Sequence, residues 1–228
     1  MMSAGLVFTL DAAGRPTYSG TCACYRARHL LVTAAHCVPE DAAAYAVLLP
    51  SDPGEGRTLR PVVSVTRSET SDIALLQTPP RDTEDFPGQV FRSVPNELVE
   101  GGDFIAFGYP VEGAGGQPTG RLFKGHHQRY FGYDDSAGRS YFAAEMSIPA
   151  PAGLSGGPIV PAHQTDQLLG VVTTNVESYV VLDSFEEVEE GGRTLRVESR
   201  RVVNYGIAAL LSGHRDWLDG WATGLIGG

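Results

Sequence analysis

A serine flanked by glycines, directly before a short apolar run, constrains the fold of this chain more than any other segment. Residues 151–158 read PAGLSGGP with the serine at Ser155, and Ile159 and Val160 follow. Glycines let the backbone turn sharply and bring its amide hydrogens close to a neighbouring atom. An exposed serine hydroxyl beside such amides is what a nucleophile and its oxyanion require. The segment therefore predicts a nucleophilic serine, with an ordinary glycine-rich turn as the alternative.

Two further motifs lie upstream of this segment. Residues 31–37 read LVTAAHC and residues 71–76 read SDIALL, so His36, Asp72 and Ser155 follow one another along the chain. Residues that act together in a triad are distant in sequence and meet only in the fold. Taken alone, His36 would be interpreted as a core histidine and Asp72 as a turn residue before a strand. The three motifs in this order favour a catalytic interpretation over both alternatives.

Together the three motifs resemble the trypsin/chymotrypsin-like serine peptidases over roughly residues 20–220. The resemblance implies that Ser155 attacks the scissile carbonyl, that His36 takes its proton, and that Asp72 orients the imidazole. It also implies that the backbone amides of Gly153 and Ser155 form the oxyanion hole. The fold class that it implies is all-β, with two six-stranded antiparallel barrels and a C-terminal helix.

A high content of turn-forming residues agrees with a fold of many short strands. The 228 residues include 28 glycines and 15 prolines, which favour turns over long helices. This length suits a single all-β unit, so we expect one trypsin-like peptidase domain over residues 1–228. We expect its first barrel at about residues 5–100, its second at about 101–206, and an amphipathic C-terminal helix at 207–221.

Acidic residues, a Gly-Gly pair and arginines follow one another between residues 178 and 203. The pair Gly191-Gly192 predicts a two-residue turn and a tight β-hairpin. We interpret this hairpin as a solvated ribbon whose exposed ion pairs contribute at most about 1 kcal/mol each. The family resemblance implies a place beside the cleft rim, where the hairpin would shield the cleft or contact basic residues of a partner through its glutamates. The turn would pair Glu190 with Arg193, Val188 with Leu195, and Glu187 with Arg196.

The family's layout also locates the pocket for the substrate residue before the cleaved bond, P1. The expected wall contains no acid, so a preference for Lys or Arg is not expected. Asn175 stands where wide-pocket members have a glycine, and a side chain there narrows the slot. We therefore expect small or medium apolar P1 residues, with an extended substrate pairing along the rim. The predicted wall is Pro149, Ala150 and Ala152, and the predicted rim is Thr173, Thr174 and Asn175.

Activation by a newly cut N-terminus is not expected. Digestive members of the family have an aspartate before the serine that pairs with that terminus, but this chain has Leu154. It also lacks an Arg or Lys followed by an Ile-Val-Gly-Gly-like start near residue 1. Bacterial HtrA-like domains lack the pair as well, and residues 104–110 and 151–158 look closer to theirs. Activity is instead expected to depend on the order of residues 149–153.

The cysteines are Cys22, Cys24 and Cys37, an odd number. Extracellular members of the family imply a bridge between Cys37 and Cys22. Because no leader is visible, we favour the alternative of three reduced, buried thiols. Zinc is disfavoured, because the only nearby fourth ligands are His29 and His36, and His36 has a better role.

The adjacent histidines His126 and His127 are a second candidate metal pair. Neighbours on a strand face opposite ways, so the pair is interpreted as part of a surface loop. No metal and no cofactor are predicted for this chain.

The formal net charge of −10 argues against nucleic acid as a partner, because phosphate binding needs a basic face. No apolar run of about 18 residues predicts a membrane-spanning helix. The N-terminus lacks a basic segment followed by an apolar core. We therefore expect a cytoplasmic protein, or a secreted one if a leader precedes this sequence. The expected partners are a protein or peptide substrate and a regulatory domain or partner protein.

Three classes of function were compared. The leading hypothesis is a serine endopeptidase that acts through an acyl-enzyme intermediate. The alternative is a catalytically silent trypsin-like module used for binding or scaffolding, which the intact set of His36, Asp72 and Ser155 disfavours. An esterase of the α/β-hydrolase type is disfavoured because its histidine comes last along the chain, whereas here it comes first.

Overall fold

The computed structural model describes residues 4–49, 58–80, 90–95, 98–111, 116–188 and 194–226. These residues form two antiparallel β-structures followed by one α-helix. This arrangement confirms the predicted all-β class with a C-terminal helix.

Seven strands form the N-terminal half, one more than the six expected. They pair in the order β5-β4-β1-β2-β3-β7-β6, and all the pairs are antiparallel. The extra strand is β5, which has only two residues. The strands are β1 (Ala4–Leu10), β2 (Pro16–Tyr25), β3 (Ala27–Thr33), β4 (Ala44–Leu48), β5 (Arg60–Pro61), β6 (Ser64–Arg67) and β7 (Ala74–Gln77).

A closed barrel of six strands forms the second half, in the order β10-β13-β12-β11-β8-β9. The helix α1 (Arg215–Ile226) follows the last strand. The strands of this barrel are β8 (Asp103–Gly108), β9 (Arg121–Asp134), β10 (Ser140–Met146), β11 (Pro158–Pro161), β12 (Gly170–Val188) and β13 (Thr194–Leu210).

Strands with apolar residues on both faces place the core between the two halves as well as inside them. In β3, Leu30 and Val32 face a cluster that also contains Val160 of β11 and Leu218 of α1. The intervening Leu31 faces the interior of the first half. Because side chains alternate along a strand, this apolar run serves two cores at once. The shared cluster holds the two halves together on either side of the cleft.

The predicted start of the C-terminal helix is wrong. Residues 207–210 complete β13, where Ile207 lies opposite Glu145 and Leu210 lies opposite Gly170. Neighbours on both sides satisfy the backbone of this segment, so the strand continues to Leu210. The helix begins at Arg215 and ends at Ile226.

The predicted register of the β12–β13 hairpin is wrong by one residue. Thr194 lies opposite Val188, and Leu195 lies opposite Glu187. Irregularities between Val172 and Thr174 and between Val181 and Asp183 each shift the pairing along β12. Such bulges add an unpaired residue, so the turn sequence alone does not determine the register. The predicted pair of residues 190 and 193 lies outside the described residues.

The structure also locates the adjacent histidines and the three cysteines. The histidine pair is not in a loop, because both residues belong to β9 and His127 is 2% exposed. Cys22, Cys24 and Cys37 are buried and carry free thiols. Within the described ranges, no group of His, Cys, Asp or Glu side chains could hold a metal ion. In the same ranges, no helix has the length and apolar character needed to cross a bilayer.

Candidate active site

His36 and Asp72 are brought together by the pairing of β3 with β7. His36 lies in a single 3-10 turn directly after β3, and Asp72 lies just before β7. The backbone N–H of His36 donates to Oδ1 of Asp72 at 3.0 Å. The ring Nδ1 lies 2.6 Å from Oδ2 of the same carboxylate. Because an ionised carboxylate only accepts, Nδ1 carries the proton and Nε2 is left to exchange protons elsewhere.

Arg139 is a third partner of this pair, and the sequence analysis missed it. Its Nη2 donates to Oδ1 of Asp72 at 3.0 Å. The side chain of Asp72 is 7% exposed, whereas that of His36 is 44% exposed. The buried carboxylate accepts three hydrogen bonds, and the imidazole remains partly exposed.

The charged forms of both residues are favoured. Burial alone would raise the pKa of Asp72, but His36 and Arg139 lower it below its ordinary value. Burial alone would lower the pKa of His36, but Asp72 and the neighbouring Cys37 raise it to about 10. The fraction of neutral imidazole, which is the form that can act as a base, therefore grows as the pH rises.

Ser155 lies in the turn before β11, against the His36 segment of the first half. Its carbonyl accepts a hydrogen bond from the backbone N–H of Thr21 at 2.8 Å. A methyl group added at Gly20 would lie 2.8 Å from that carbonyl oxygen and 2.4 Å from Sγ of Cys37. The Ser155 hydroxyl donates to the carbonyl of Thr173 at 3.2 Å. Among the hydrogen bonds of the described residues, none joins Ser155 to His36.

The predicted oxyanion donors have open amides. Neither the N–H of Gly153 nor that of Ser155 donates to an acceptor within the described part of the chain. Gly153 has φ of +87°, and a Cβ there would lie 2.7 Å from the carbonyl oxygen of Tyr109. This backbone conformation and this close approach both require glycine.

The first half holds the carbonyl of Gly153 in place. Oγ1 of Thr21 donates to this carbonyl at 2.8 Å. Oη of Tyr18 lies 2.8 Å from the same oxygen and 2.7 Å from the carbonyl oxygen of Tyr109, so its one proton is shared between the two. Thr21 also accepts the backbone N–H of Tyr109 at 3.1 Å. Burial raises the pKa of Tyr18, so its hydroxyl stays protonated as a donor. These contacts fix the peptide next to the predicted oxyanion hole, and no sequence motif indicated them.

Asn175 joins the two sides of the predicted P1 pocket. Its Oδ1 accepts the backbone N–H of Ala150 at 2.6 Å, and its Nδ2 donates to the carbonyl of Ala150 at 2.7 Å. We refer to these two hydrogen bonds as the Asn175–Ala150 clasp. Of the other predicted pocket residues, Thr173 is buried and bonded to Ser155, Thr174 lies opposite Ile207, and Pro149 and Ala152 are exposed.

The chain belongs to the family of trypsin-like peptidase domains, because the model of this family matches residues 20–171. The class of protein that the fold and family define is therefore a trypsin-like serine endopeptidase. No curated protein sequence is significantly similar to the chain.

Solved structures of similar fold include bacterial proteases. The Rv3671c protease from M. tuberculosis in its active form matches with a TM-score of 0.60 at 17% identity, over 92% of this chain and 78% of that one. Its inactive form matches with a TM-score of 0.58 at 16% identity, over 93% of this chain and 86% of that one. The HtrA-type protease AlgW with a decapeptide matches with a TM-score of 0.62 at 15% identity, over 95% of this chain and 63% of that one. At these identities the likeness shows a shared fold.

Proposed function

We propose that the chain hydrolyses peptide bonds through His36, Asp72 and Ser155. His36 takes the hydroxyl proton of Ser155 as Oγ attacks the carbonyl carbon, and the amides of Gly153 and Ser155 stabilise the oxyanion. The intermediate collapses to an acyl-enzyme while His36 gives its proton to the leaving amine. A water molecule, activated by the same imidazole, then releases the acid. The hydrogen-bonded pair of His36 and Asp72 beside a turn with two open amides is the observation that carries this proposal.

Substrate binding redirects the hydroxyl of Ser155 in this mechanism. Without substrate the hydroxyl donates to the carbonyl of Thr173. This carbonyl lies on the rim along which an extended substrate would pair, so a substrate N–H would compete for it. A rotation about the Cα–Cβ bond of Ser155 then turns Oγ towards His36 without moving the backbone.

The preferred P1 residues are small or medium-sized and apolar. The Asn175–Ala150 clasp supports this, because a side chain that bridges the wall and the rim shortens the slot between them. The wall residues Pro149, Ala150 and Ala152 offer no charge to pair with a basic P1 side chain.

The site does not need an ion pair with a cut N-terminus. Leu154 is fully buried in the core of the second half, where its side chain packs against other apolar residues. An aspartate could not replace this apolar packing. Thr21 and Tyr18 already hold the adjoining peptide through the carbonyl of Gly153. Gly153 is thus held by neutral contacts from the first half, and Ala150 is held by the clasp with Asn175 of the second half.

The partners are a protein or peptide substrate and a regulatory protein or domain that restrains hydrolysis. The AlgW structures are described as complexes with a decapeptide and with a tripeptide. An extended peptide pairing along β12 is the corresponding mode here. We propose a cytoplasmic location as well, which places the three buried thiols in a reducing compartment.

Two observations favour a second candidate, a catalytically silent module that binds extended peptides. The Ser155 hydroxyl is bonded to Thr173, and the high pKa of His36 leaves little neutral imidazole near pH 7. In that case the cleft would bind a peptide without cleaving it.

Labelling with a fluorophosphonate distinguishes the two candidates. Wild-type protein and a control with the exposed Ser64→Ala substitution should both be labelled, whereas Ser155→Ala should not. Ser155→Ala should also abolish the cleavage of a mixed peptide library. A folded wild-type protein that is neither labelled nor cleaves peptides supports the silent module. Cleavage that persists in Ser155→Ala would show that the nucleophile is another residue.

A further inference from the structure

Two turns of this chain share a sequence pattern and a set of hydrogen bonds. Residues 11–15 read Asp-Ala-Ala-Gly-Arg between β1 and β2, and residues 135–139 read Asp-Ser-Ala-Gly-Arg between β9 and β10. In each turn, Oδ1 of the aspartate accepts the backbone N–H of the third and fifth residues at 2.9 Å. In each turn, Nε of the arginine lies 2.7 Å from Oδ2. The two turns are therefore closed in the same way.

The arginines differ in what the rest of the guanidinium reaches. The side chain of Arg15 is 82% exposed, whereas that of Arg139 is 21% exposed. Nη2 of Arg139 donates to Oδ1 of Asp72 at 3.0 Å, so one planar group spans two carboxylates. A guanidinium fixed at Nε has little freedom to turn, which makes its second contact directional.

We propose that Arg139 is a positioning residue for the hydrolysis proposed above, holding the Asp72 carboxylate so that Oδ2 faces Nδ1 of His36. The proposal rests on that function. Oδ1 receives both the backbone N–H of His36 and Nη2 of Arg139, which blocks rotation of the carboxylate about its Cβ–Cγ bond. Oδ2 is thereby directed at the imidazole. Arg139 lies on the second half and Asp72 on the first, so the contact also aligns the pair across the cleft.

Electrostatics gives Arg139 a second effect on the same pair. The guanidinium attracts the negative charge of Asp72 and lowers the pKa of that carboxyl. Among the described residues, the other titratable groups near the pair are Cys37, Asp135, Tyr133 and Tyr141. Without Arg139 the carboxylate charge would act on the imidazole alone. The imidazolium would then be more stable, and the pKa of His36 would rise further.

A purely structural role, in which Arg139 only closes its turn, is the competing explanation. The turn at residues 11–15 provides the matched control, because Arg15→Ala and Arg139→Ala each remove the same bond to an aspartate. Only Arg139→Ala removes the contact with Asp72. We expect Arg139→Ala to lower kcat roughly tenfold to a hundredfold with little change in KM, as for a lost charge-assisted hydrogen bond. Arg15→Ala should leave kcat within about twofold.

The pH profile separates positioning from turn closure. In Arg139→Ala the acid limb of kcat/KM should move to higher pH than in Arg15→Ala, because the imidazole keeps its proton longer. Arg139→Lys retains the charge without the planar fork, so its acid limb should stay near that of the wild type while kcat recovers only in part. Equal kcat and equal pH profiles for Arg139→Ala and Arg15→Ala would overturn the proposal.

The proposal can also be tested in a protein without activity. Should the wild type be neither labelled nor active, the imidazole pKa and the Nδ1–H resonance of His36 are followed by NMR in the same variants. An upward pKa shift in Arg139→Ala alone supports the positioning contact even though the hydrolytic function fails. Unchanged values in both variants overturn it. If Arg139→Ala does not fold, Arg139→Gln is compared in its place, because glutamine keeps a donor and most of the side-chain length.

Discussion

Replacing Asn175 with glycine is expected to open the P1 slot. The substitution removes both hydrogen bonds of the Asn175–Ala150 clasp and the side chain that bridges the pocket. Each extra methylene of substrate that a slot admits or rejects changes transition-state binding by about 1–3 kcal/mol. We therefore expect the ratio of kcat/KM for Phe over Ala at P1 to rise by about tenfold or more.

The same substitution should lower the free energy of unfolding. Two lost hydrogen bonds contribute about 1 kcal/mol each, and the greater freedom of unfolded glycine adds about 0.5–1 kcal/mol. The expected loss is about 2–3 kcal/mol, measured by urea denaturation. Since Ala150 is buried, its backbone groups are not readily hydrated in compensation.

The assay uses quenched peptides that differ only at P1, with Ala, Val, Leu and Phe. Asn204→Gly, at an exposed asparagine of the neighbouring β13, is the matched control for loss of an asparagine from the same ribbon. Its P1 ratio should equal that of the wild type. A folded Asn175→Gly protein with an unchanged Phe/Ala ratio would refute the argument that the clasp limits P1 size.

Four further outcomes are expected from the contacts of the site. Tyr18→Phe removes a hydroxyl 2.8 Å from the carbonyl of Gly153. Steady-state kinetics should show kcat lowered by about tenfold with KM little changed. An unaltered kcat would show that Thr21 alone is sufficient to hold this carbonyl. Gly156→Ala should lower the free energy of unfolding by more than about 3 kcal/mol, as measured by urea denaturation. The reason is that its Cβ would lie 2.1 Å from the carbonyl oxygen of Thr21, at a φ of +76°. A stability equal to that of the wild type would contradict this. Because the pKa of His36 is raised to about 10, kcat/KM should climb well above pH 6.5, the ordinary histidine value, and a plateau by pH 7 would contradict the raised value. By linkage, the stabilisation from charged His36 is complete below about pH 6.5 and is lost as the pH rises through about 10, which thermal unfolding across this range will measure.

The sequence indicated the candidate catalytic residues but not the contacts that support them. His36 and Asp72 each stand beside a strand, and the motifs around them indicated a pair whose distance only the β3–β7 register could determine. That Asn175 narrows the P1 slot is likewise a prediction from the residue type, and the structure adds its two hydrogen bonds to Ala150. The contact of Asn175 with Ala150 depends on how β12 packs against the loop that contains Ala150, which a single sequence does not show.

The contact between Arg139 and Asp72 could not be predicted from the local sequence. The pattern of residues 135–139 is sufficient to predict a closed turn, as at residues 11–15. Contact with Asp72 requires that β9 and β10 extend across the cleft to the other half, which depends on strand lengths and barrel closure. The register between β12 and β13 likewise depends on two irregularities within β12, which the turn sequence does not indicate.

Leu75 of the first half, Val160 of the second half and Leu218 of the helix lie in one continuous apolar interior. Neither half could separate without exposing the face that the other now covers. Denaturation should therefore be all-or-none, without a stage at which one half persists alone. A chain severed between β7 and β8 should yield two fragments that refold only when mixed. Hydrolytic activity and folded structure would then be lost at the same denaturant concentration, because the cleft exists only while the common interior is intact.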